Sequence, residues 1–238
     1  MKKNILLLLS FWLISFVAVG QTTAAAFIEN GKQKYYSGDL TGALSICQEV
    51  LRVEPNCAEA LELKAKLLFE LNKLGKSVRT YGSLLKLKPD YEIAYFNRGA
   101  VRLKQAKYKR AVKDFTKVLE LNPANVEAYY ARGFARGSLG NLIGQIEDMT
   151  DAVTLDPDFQ YGYLQRAIAK LKLMDVAGGM ADLDKAIEVD PGFAEAYRER
   201  SYARSQNGDA AGAKSDFTIF RKLSDNKKVS QLAEVYEQ

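Results

Sequence analysis

The sequence predicts an all-α protein in which six helix–turn–helix repeats stack as a solenoid. Its five prolines are spaced thirty-four residues apart: Pro55, Pro89, Pro123, Pro157 and Pro191. A self-similar period of twenty to fifty residues indicates a repeat architecture. Each repeat contains two apolar-periodic stretches of helical length joined by a short turn, which contains Gly38 in the first repeat and Gly208 in the last.

Four positions of the repeat keep one kind of side chain. With the proline at position 32, the repeats are 24–57, 58–91, 92–125, 126–159, 160–193 and 194–227. Position 4 is always large, position 8 is always small, position 20 is small except at Gln145, and position 24 is always apolar. Positions that sum to about 28–30 face each other across a helical hairpin, so two small residues let the backbones approach closely. Asp225 replaces the sixth proline, and we expect the array to stop there.

This pattern resembles the tetratricopeptide repeat (TPR) family, whose signature places large, small, apolar and proline residues at these offsets. The resemblance covers residues 24–227. It implies a right-handed α-solenoid of six TPR units. It also implies a protein that binds another protein or a peptide in the groove lined by the first helix of each repeat.

The two ends of the chain differ from the repeats. Lys2 and Lys3 precede an apolar run, and Ala18-Val19-Gly20 resembles a signal-peptidase site, so residues 1–20 are predicted to be a signal peptide. An uncleaved membrane anchor is the alternative. The signal predicts export to the periplasm or secretion. Residues 228–238 carry one apolar face and are predicted to form a capping helix.

The two cysteines are compatible with two states. Export would place Cys47 and Cys57 in an oxidising compartment, where a disulfide could form. However, several helical residues separate them, which makes the approach of about 7 Å that a bridge requires hard to reach. A buried thiol at Cys47 is the other interpretation.

The composition excludes most chemistry. The chain has no histidine, which removes the commonest general base and zinc ligand, and the cysteines lack metal-binding spacing. The net charge of +5 falls to +3 without Lys2 and Lys3, which gives no reason to expect nucleic acid. We therefore predict a protein without enzyme activity and without a cofactor or metal. Its only membrane contact would be an uncleaved signal segment.

A ladder of charges in the last four repeats has two interpretations. Arginines occupy position 7 and aspartates occupy position 23: Arg98 and Asp114, Arg132 and Asp148, Arg166 and Asp182, Arg200 and Asp216. The arginines alone would suggest a site for an acidic ligand. Because acid and base appear together and are both absent from the first two repeats, we predict structural ion pairs between the two helices of each repeat.

Partner-binding residues follow from the TPR resemblance, since that family's groove is lined mainly by positions 2, 5, 9, 12 and 13. Carried onto this sequence, these positions give Tyr35, Tyr36, Phe69, Glu70, Phe96, Tyr130, Phe134, Tyr161, Arg198 and Tyr202. Packing alone could explain Tyr35, Phe69 and Phe96. Phe134, Tyr161 and Tyr202 sit where packing demands less, so they are the stronger candidates.

The functional prediction is a non-catalytic interaction scaffold or adaptor of the bacterial cell envelope. Two alternatives remain open: a structural or assembly subunit of an envelope complex, and an accessory module for a separate enzyme. The glycines of residues 137–147 and 175–180 further predict locally weakened helices, because glycine within a helix costs about 1 kcal/mol relative to alanine.

Overall fold

The computed structural model describes residues 24–236, with side chains as far as Asp225. The predicted signal peptide and its cleavage site lie outside this range. The described part contains twelve α-helices and no strand, and consecutive helices pack as in a TPR solenoid, so the predicted fold class is confirmed. The chain divides into two compact bodies, with the boundary between Ala106 and Lys107 in the middle of the third repeat.

The N-terminal body contains five helices. The first, α1, covers 24–36. The others are α2 (Leu40–Val53), α3 (Ala58–Glu70), α4 (Leu74–Leu87) and α5 (Glu92–Lys104). In this body α1, α3 and α5 are the first helices of their repeats, whereas α2 and α4 are second helices.

The C-terminal body contains the other seven helices. They are α6 (Tyr108–Leu121), α7 (Val126–Ser138), α8 (Leu142–Leu155), α9 (Gln160–Lys172), α10 (Val176–Val189), α11 (Ala194–Gln206) and α12 (Ala210–Tyr236). Here α7, α9 and α11 are the first helices of the last three repeats.

The proline ladder sets where the second helices end. Helices α2, α4, α6, α8 and α10 each end two residues before a proline, as α2 does at Val53 before Pro55. Proline has no N–H and disfavours helical geometry in the residue before it. Because Asp225 stands at this place in the sixth repeat, α12 continues without a break to Tyr236. Residues 228–236 therefore extend α12 and do not start the separate helix that the sequence predicted.

The turn inside each repeat requires left-handed backbone at position 15. Gly38, Gly140 and Gly208 have φ of 84°, 80° and 84°. Asn72, Ala106 and Met174 adopt φ of 55°, 54° and 65° at the same position. Glycine and asparagine enter this region readily, but alanine and methionine pay a steric cost for it.

Small residues allow the two helices of a repeat to approach closely. A Cβ added at Gly133 would lie 2.9 Å from the Cβ of Asp148, and one at Gly179 would lie 2.6 Å from Cγ of Leu171. Gln145, the exception at position 20, is accommodated because its carboxamide occupies the space that a side chain at Gly137 would need. The glycines of repeats 4 and 5 are therefore packing requirements as well as weak helix formers.

The cysteines are both free thiols, and Cys47 is buried. Burial raises the pKa of the Cys47 thiol to about 11. The structure thus agrees with the buried-thiol interpretation, and the alternative of a disulfide with Cys57 is not realised. Among the described helices, none is long and apolar enough to cross a membrane.

Candidate functional site

An aromatic surface lies on the first helices of the C-terminal body, and we define it as Tyr130 and Phe134 on α7, Tyr161 on α9 and Tyr202 on α11. Phe134, Tyr161 and Tyr202 are 41%, 46% and 64% exposed. They occupy positions 2 and 9, seven residues apart, which places them on one face of helices that turn every 3.6 residues. The sequence selected all four residues as groove candidates.

Two phenylalanines fix the central ring of this surface. Tyr161 packs edge-on against Phe193 with ring centroids 4.9 Å apart, and its ring is tilted at 51° to that of Phe159, with centroids 6.0 Å apart. Tyr130 meets Phe159 at 5.4 Å and Tyr161 at 6.5 Å. The edge-to-face pairs, which are all of these except Tyr161 with Phe159, are favourable beyond the area that they bury. The Tyr161 ring is consequently held in place while almost half of it stays open to solvent.

Sequence analysis missed Phe159 and Phe193. Both are at position 34, directly before α9 and α11, where they occupy the N-cap positions of these helices. Phe193 is buried and Phe159 is half-buried. The recurrence of a large ring at this position in the alignment of repeats was the available signal, since Tyr91 occupies it as well.

The aromatic surface is chemically neutral. Burial, with a smaller contribution from Tyr161, raises the pKa of Tyr130, so its phenol stays protonated at physiological pH. Arg198, the charged candidate nearby in sequence, is exposed and its Nη2 lies 2.8 Å from Oε1 of Glu199. These rings can pack against apolar, aromatic or cationic groups of a partner, but they offer no general base.

The N-terminal body has a polar groove in place of this aromatic surface. A cavity of about 380 Å³ is lined by Lys32, Tyr35, Tyr36, Ala58, Glu59, Glu62, Leu63, Lys66, Lys88 and Tyr91. Glu62 accepts a hydrogen bond from the Tyr91 hydroxyl at 2.6 Å and pairs with Lys66 at 2.7 Å. Although burial opposes it, these two contacts hold the pKa of Glu62 below its ordinary value.

The remaining groove candidates lie beside this cavity. Tyr36 is 82% exposed, and Tyr35 also lines a neighbouring cavity of about 230 Å³ together with Phe69 and Glu70. The Lys104 ammonium lies 4.7 Å from the centroid of the Phe69 ring. Phe96 is half-buried on α5. The structure therefore distributes the predicted groove residues over two bodies with different chemistry.

The charge ladder forms ion pairs within the C-terminal body. Arg132 and Asp148, Arg166 and Asp182, and Arg200 and Asp216 each approach to 2.7 Å. The aspartates are buried, and each forms a second ion pair with the basic residue at position 11 of the same repeat: Arg136, Lys170 or Arg204. This geometry supports the structural interpretation of the ladder. The fourth predicted pair would join Arg98 of one body to Asp114 of the other and stays a prediction.

The carboxylate of Asp148 shows what such burial costs. Desolvation is the largest influence on it and raises its pKa, although Arg132 and Arg136 favour the ionised form. Each guanidinium at position 7 also lies over the tyrosine three residues before it, as Arg132 does 5.5 Å from the Tyr129 ring. The arginines are thus engaged by their own repeat and do not form an open basic surface.

The described residues contain no group of His, Cys, Asp or Glu side chains that could hold a metal ion. The arrangement instead offers surfaces: a neutral aromatic one and a polar, mixed-charge one. Both surfaces suit binding to another macromolecule better than catalysis of a reaction.

Comparisons with known proteins agree with this picture. Sequence profiles of the tetratricopeptide repeat match residues 93–125 and 126–159, and a TPR repeat profile matches 65–106. No curated protein matches the sequence.

Three solved structures illustrate the structural similarity. MamA from Desulfovibrio magneticus RS-1 is 27% identical, with a TM-score of 0.68 over 71% of this chain and 96% of its own. A tetratricopeptide repeat protein from Parabacteroides merdae is 24% identical, and the two structures match with a TM-score of 0.61 over 90% of this chain and 84% of that protein. YrrB, a TPR protein with an unusual peptide-binding site, is 19% identical, and its structure matches with a TM-score of 0.62 over 79% of this chain and 97% of YrrB. Together, the profiles and the structures show that the chain is a tetratricopeptide repeat protein.

Proposed function

We propose that this TPR protein is a non-catalytic scaffold that binds a segment of a partner protein on the aromatic surface of its C-terminal body. One observation carries the proposal: the Tyr161 ring is 46% exposed although Phe193, Phe159 and Tyr130 hold it in one orientation. A rigid exposed aromatic ring is a good anchor because little side-chain entropy is lost when it becomes buried.

A polypeptide is the ligand that suits this surface best. Phe134 and Tyr202 are exposed at position 9, on helices before and after the one that carries Tyr161. Anchors spread over the first helices of three consecutive repeats match an extended segment or a helix with several apolar side chains. A compact small molecule would instead need an enclosed apolar cavity.

The test compares partner capture by the wild type and by a Phe134→Ala/Tyr161→Ala double variant, from an envelope extract and then with the purified partner. We expect the double variant to lose the specific partner. The matched control is Ile143→Ala in α8, a 65% exposed side chain of the same body outside the aromatic surface. Tyr36→Ala tests the N-terminal groove in the same way. An unchanged partner in the double variant, with loss in Tyr36→Ala, would move the site to the N-terminal body.

The cellular location is a second part of the proposal. Residues 1–20 have the composition of a signal peptide, and we propose that the protein is exported and acts in the cell envelope. Mass spectrometry of the protein isolated from envelope fractions should give Gln21 as its first residue. An intact N-terminus in the membrane fraction would instead indicate an anchor, and recovery in the cytosol would contradict export.

A further inference from the structure

Phe217 on α12 is exposed at a position of the repeat that is otherwise buried. At position 24, the other five repeats have side chains that are at most 1% exposed: Cys47, Tyr81, Phe115, Met149 and Leu183. Phe217, which occupies position 24 of the sixth repeat, is 50% exposed. Its ring contacts that of Phe220 on the same helix, with centroids 6.0 Å apart. A large aromatic ring is therefore held on α12 while half of it stays open to solvent.

In the earlier repeats, the first helix of the following repeat covers this position. Tyr81 lies in one apolar cluster with Ala94 and Val101 of α5, and Leu183 lies in another with Ala196 of α11. Helix α12 instead continues to Tyr236, and it packs against α11. In the described part of the chain, neither a following first helix nor the separate capping helix that the sequence predicted covers Phe217.

The residues beside Phe217 show that a further repeat is not what this face of α12 is suited to bind. Position 21 is apolar in the first five repeats and is Lys214 in the sixth, and position 28 is apolar in the same five and is Arg221 in the sixth. Both cations are exposed. The apolar first helix of a following repeat would bury them without partners, which is unfavourable. A surface that covers Phe217 has to offer groups that interact with two cations.

The same side of α12 also carries an anion. Asp225, which replaces the sixth proline, is exposed. Residues three and four apart are neighbours on a helix. At these intervals α12 carries a stripe of four residues, which we call the α12 stripe: Lys214, Phe217, Arg221 and Asp225.

The α12 stripe is complementary to a second copy of itself. If two copies of α12 align antiparallel so that each Phe217 faces Arg221 of the other copy, each Lys214 lies within one residue of the other copy's Asp225. A guanidinium over an aromatic ring and an ammonium beside a carboxylate are both favourable contacts. The two-fold symmetry of the pair provides each contact twice.

We propose that the chain forms a two-fold symmetric dimer in which the α12 stripe packs antiparallel against the α12 stripe of a second copy. Burial of the two Phe217 rings supplies the apolar contribution that exposed ion pairs lack. The stripe lies on the second helix of its repeat, whereas the aromatic surface lies on first helices. The dimer is therefore independent of the proposed binding of a partner segment.

Sedimentation equilibrium of the purified full chain over a range of concentrations measures the dimer. Phe217→Ser should weaken dimerisation at least about tenfold, because it removes the central apolar side chain of the contact. Ile219→Ser is the matched control: Ile219 is 36% exposed on another side of the same helix, and its substitution should change dimerisation little. Thermal melting of both variants checks that the C-terminal body is intact.

Two charge variants test the antiparallel alignment. Lys214→Glu brings two carboxylates together in the dimer, and Asp225→Lys brings two ammonium groups together. Each variant alone should therefore dimerise at least about tenfold more weakly than the wild type. In an equimolar mixture both contacts again join opposite charges, so the two variants should form a heterodimer of nearly wild-type affinity. Capture of the untagged variant by an affinity-tagged copy of the other measures this heterodimer.

Several results would overturn the proposal. The chain could stay monomeric up to about 1 mM, Phe217→Ser could dimerise as the wild type does, or the two charge variants could fail to associate in the mixture. A dimer that Phe134→Ala/Tyr161→Ala abolishes and Phe217→Ser leaves intact would also overturn it, because self-association would then belong to the aromatic surface.

Discussion

The two bodies contain the same helical hairpin, but different side chains lie between its two helices. In the C-terminal body, an arginine at position 7 meets a buried aspartate at position 23, as Arg132 meets Asp148. In the second repeat these positions carry Lys64 and Thr80, and the Thr80 hydroxyl donates to the carbonyl of Lys76 in its own helix at 2.9 Å. The hairpin of the N-terminal body thus needs no buried charge between its helices at this position.

The cores differ in a corresponding way. Position 10 is fully buried in both bodies, but it is Leu67 in the second repeat and Ala135 or Ala169 in the fourth and fifth. Large aliphatic side chains bury more apolar area per residue, at about 25 cal/mol per Å². The repeat therefore accepts two solutions: an aliphatic core, or a core of small residues with buried ion pairs between the helices.

Removing one buried carboxylate should have the largest effect on the stability of the C-terminal body. We expect Asp148→Ala to lower the free energy of unfolding by about 3–5 kcal/mol, because Arg132 and Arg136 are left partly buried without their partner. Urea denaturation measures the change. Replacing both partners, with Arg132→Ala and Asp148→Leu, should recover part of the loss.

The matched position in the N-terminal body provides the control. Thr80→Ala removes one hydrogen bond within a helix and should cost only about 1 kcal/mol. If Asp148→Ala leaves stability unchanged and abolishes partner binding, the ladder is a ligand site and the structural interpretation of these pairs is wrong.

The second prediction exchanges the two kinds of core. Leu67→Ala should destabilise by about 2–5 kcal/mol, because it leaves a cavity at a fully buried site. Ala135→Leu, the converse change at the same position of the fourth repeat, should cost about 1–3 kcal/mol through overpacking. Guanidinium unfolding of both variants measures these changes. A tolerated Ala135→Leu would show that the small core retains free space.

The repeat period explains why so much of the fold could be predicted. One thirty-four-residue spacing fixes where the second helices end, and six copies act as an internal alignment. The same alignment separated the Arg132–Asp148 type of contact from a ligand site, because acid and base vary together. Gly137 shows the limit: its glycine is required by Gln145 on the next helix, a contact that spacing alone does not reveal.

The candidate site was less predictable for a physical reason. Position 9 identified Phe134 and Tyr202 as exposed, but the orientation of Tyr161 depends on Phe159 and Phe193, which precede their helices. The groove positions known for the family all lie within the first helices, so they do not include the N-cap residues that precede these helices.

A third, smaller effect concerns the turn at position 15. Met174 is 81% exposed with φ of 65°, whereas the neighbouring repeats of the C-terminal body have Gly140 and Gly208 there. Met174→Gly should raise the free energy of unfolding by about 1 kcal/mol, because glycine adopts this conformation without a steric cost. Leu173→Gly is the matched control: Leu173 has φ of −88°, so glycine there should destabilise. Thermal melting of both variants distinguishes relief of strain from a general effect of glycine.

The smallest expected effect is local and concerns the start of α10. Gly178 and Gly179 lie in its first turn, whereas the corresponding residues of α12 are Gly212 and Ala213. Both turns have the same aspartate cap, from Asp175 and Asp209, at 2.9 and 2.8 Å. The one extra glycine should lower the free energy of local opening at the start of α10 by about 1 kcal/mol. This change corresponds to roughly fivefold faster amide exchange.

Hydrogen exchange of residues 175–180 against 209–214 measures this difference, and equal protection would contradict it. Gly179→Ala alone should not slow the exchange, because the new Cβ would lie 2.6 Å from Cγ of Leu171. Combined with Leu171→Ala, which removes that collision, the same substitution should slow it. The glycine is therefore kept by packing across the hairpin, and the weak first turn of α10 is its consequence.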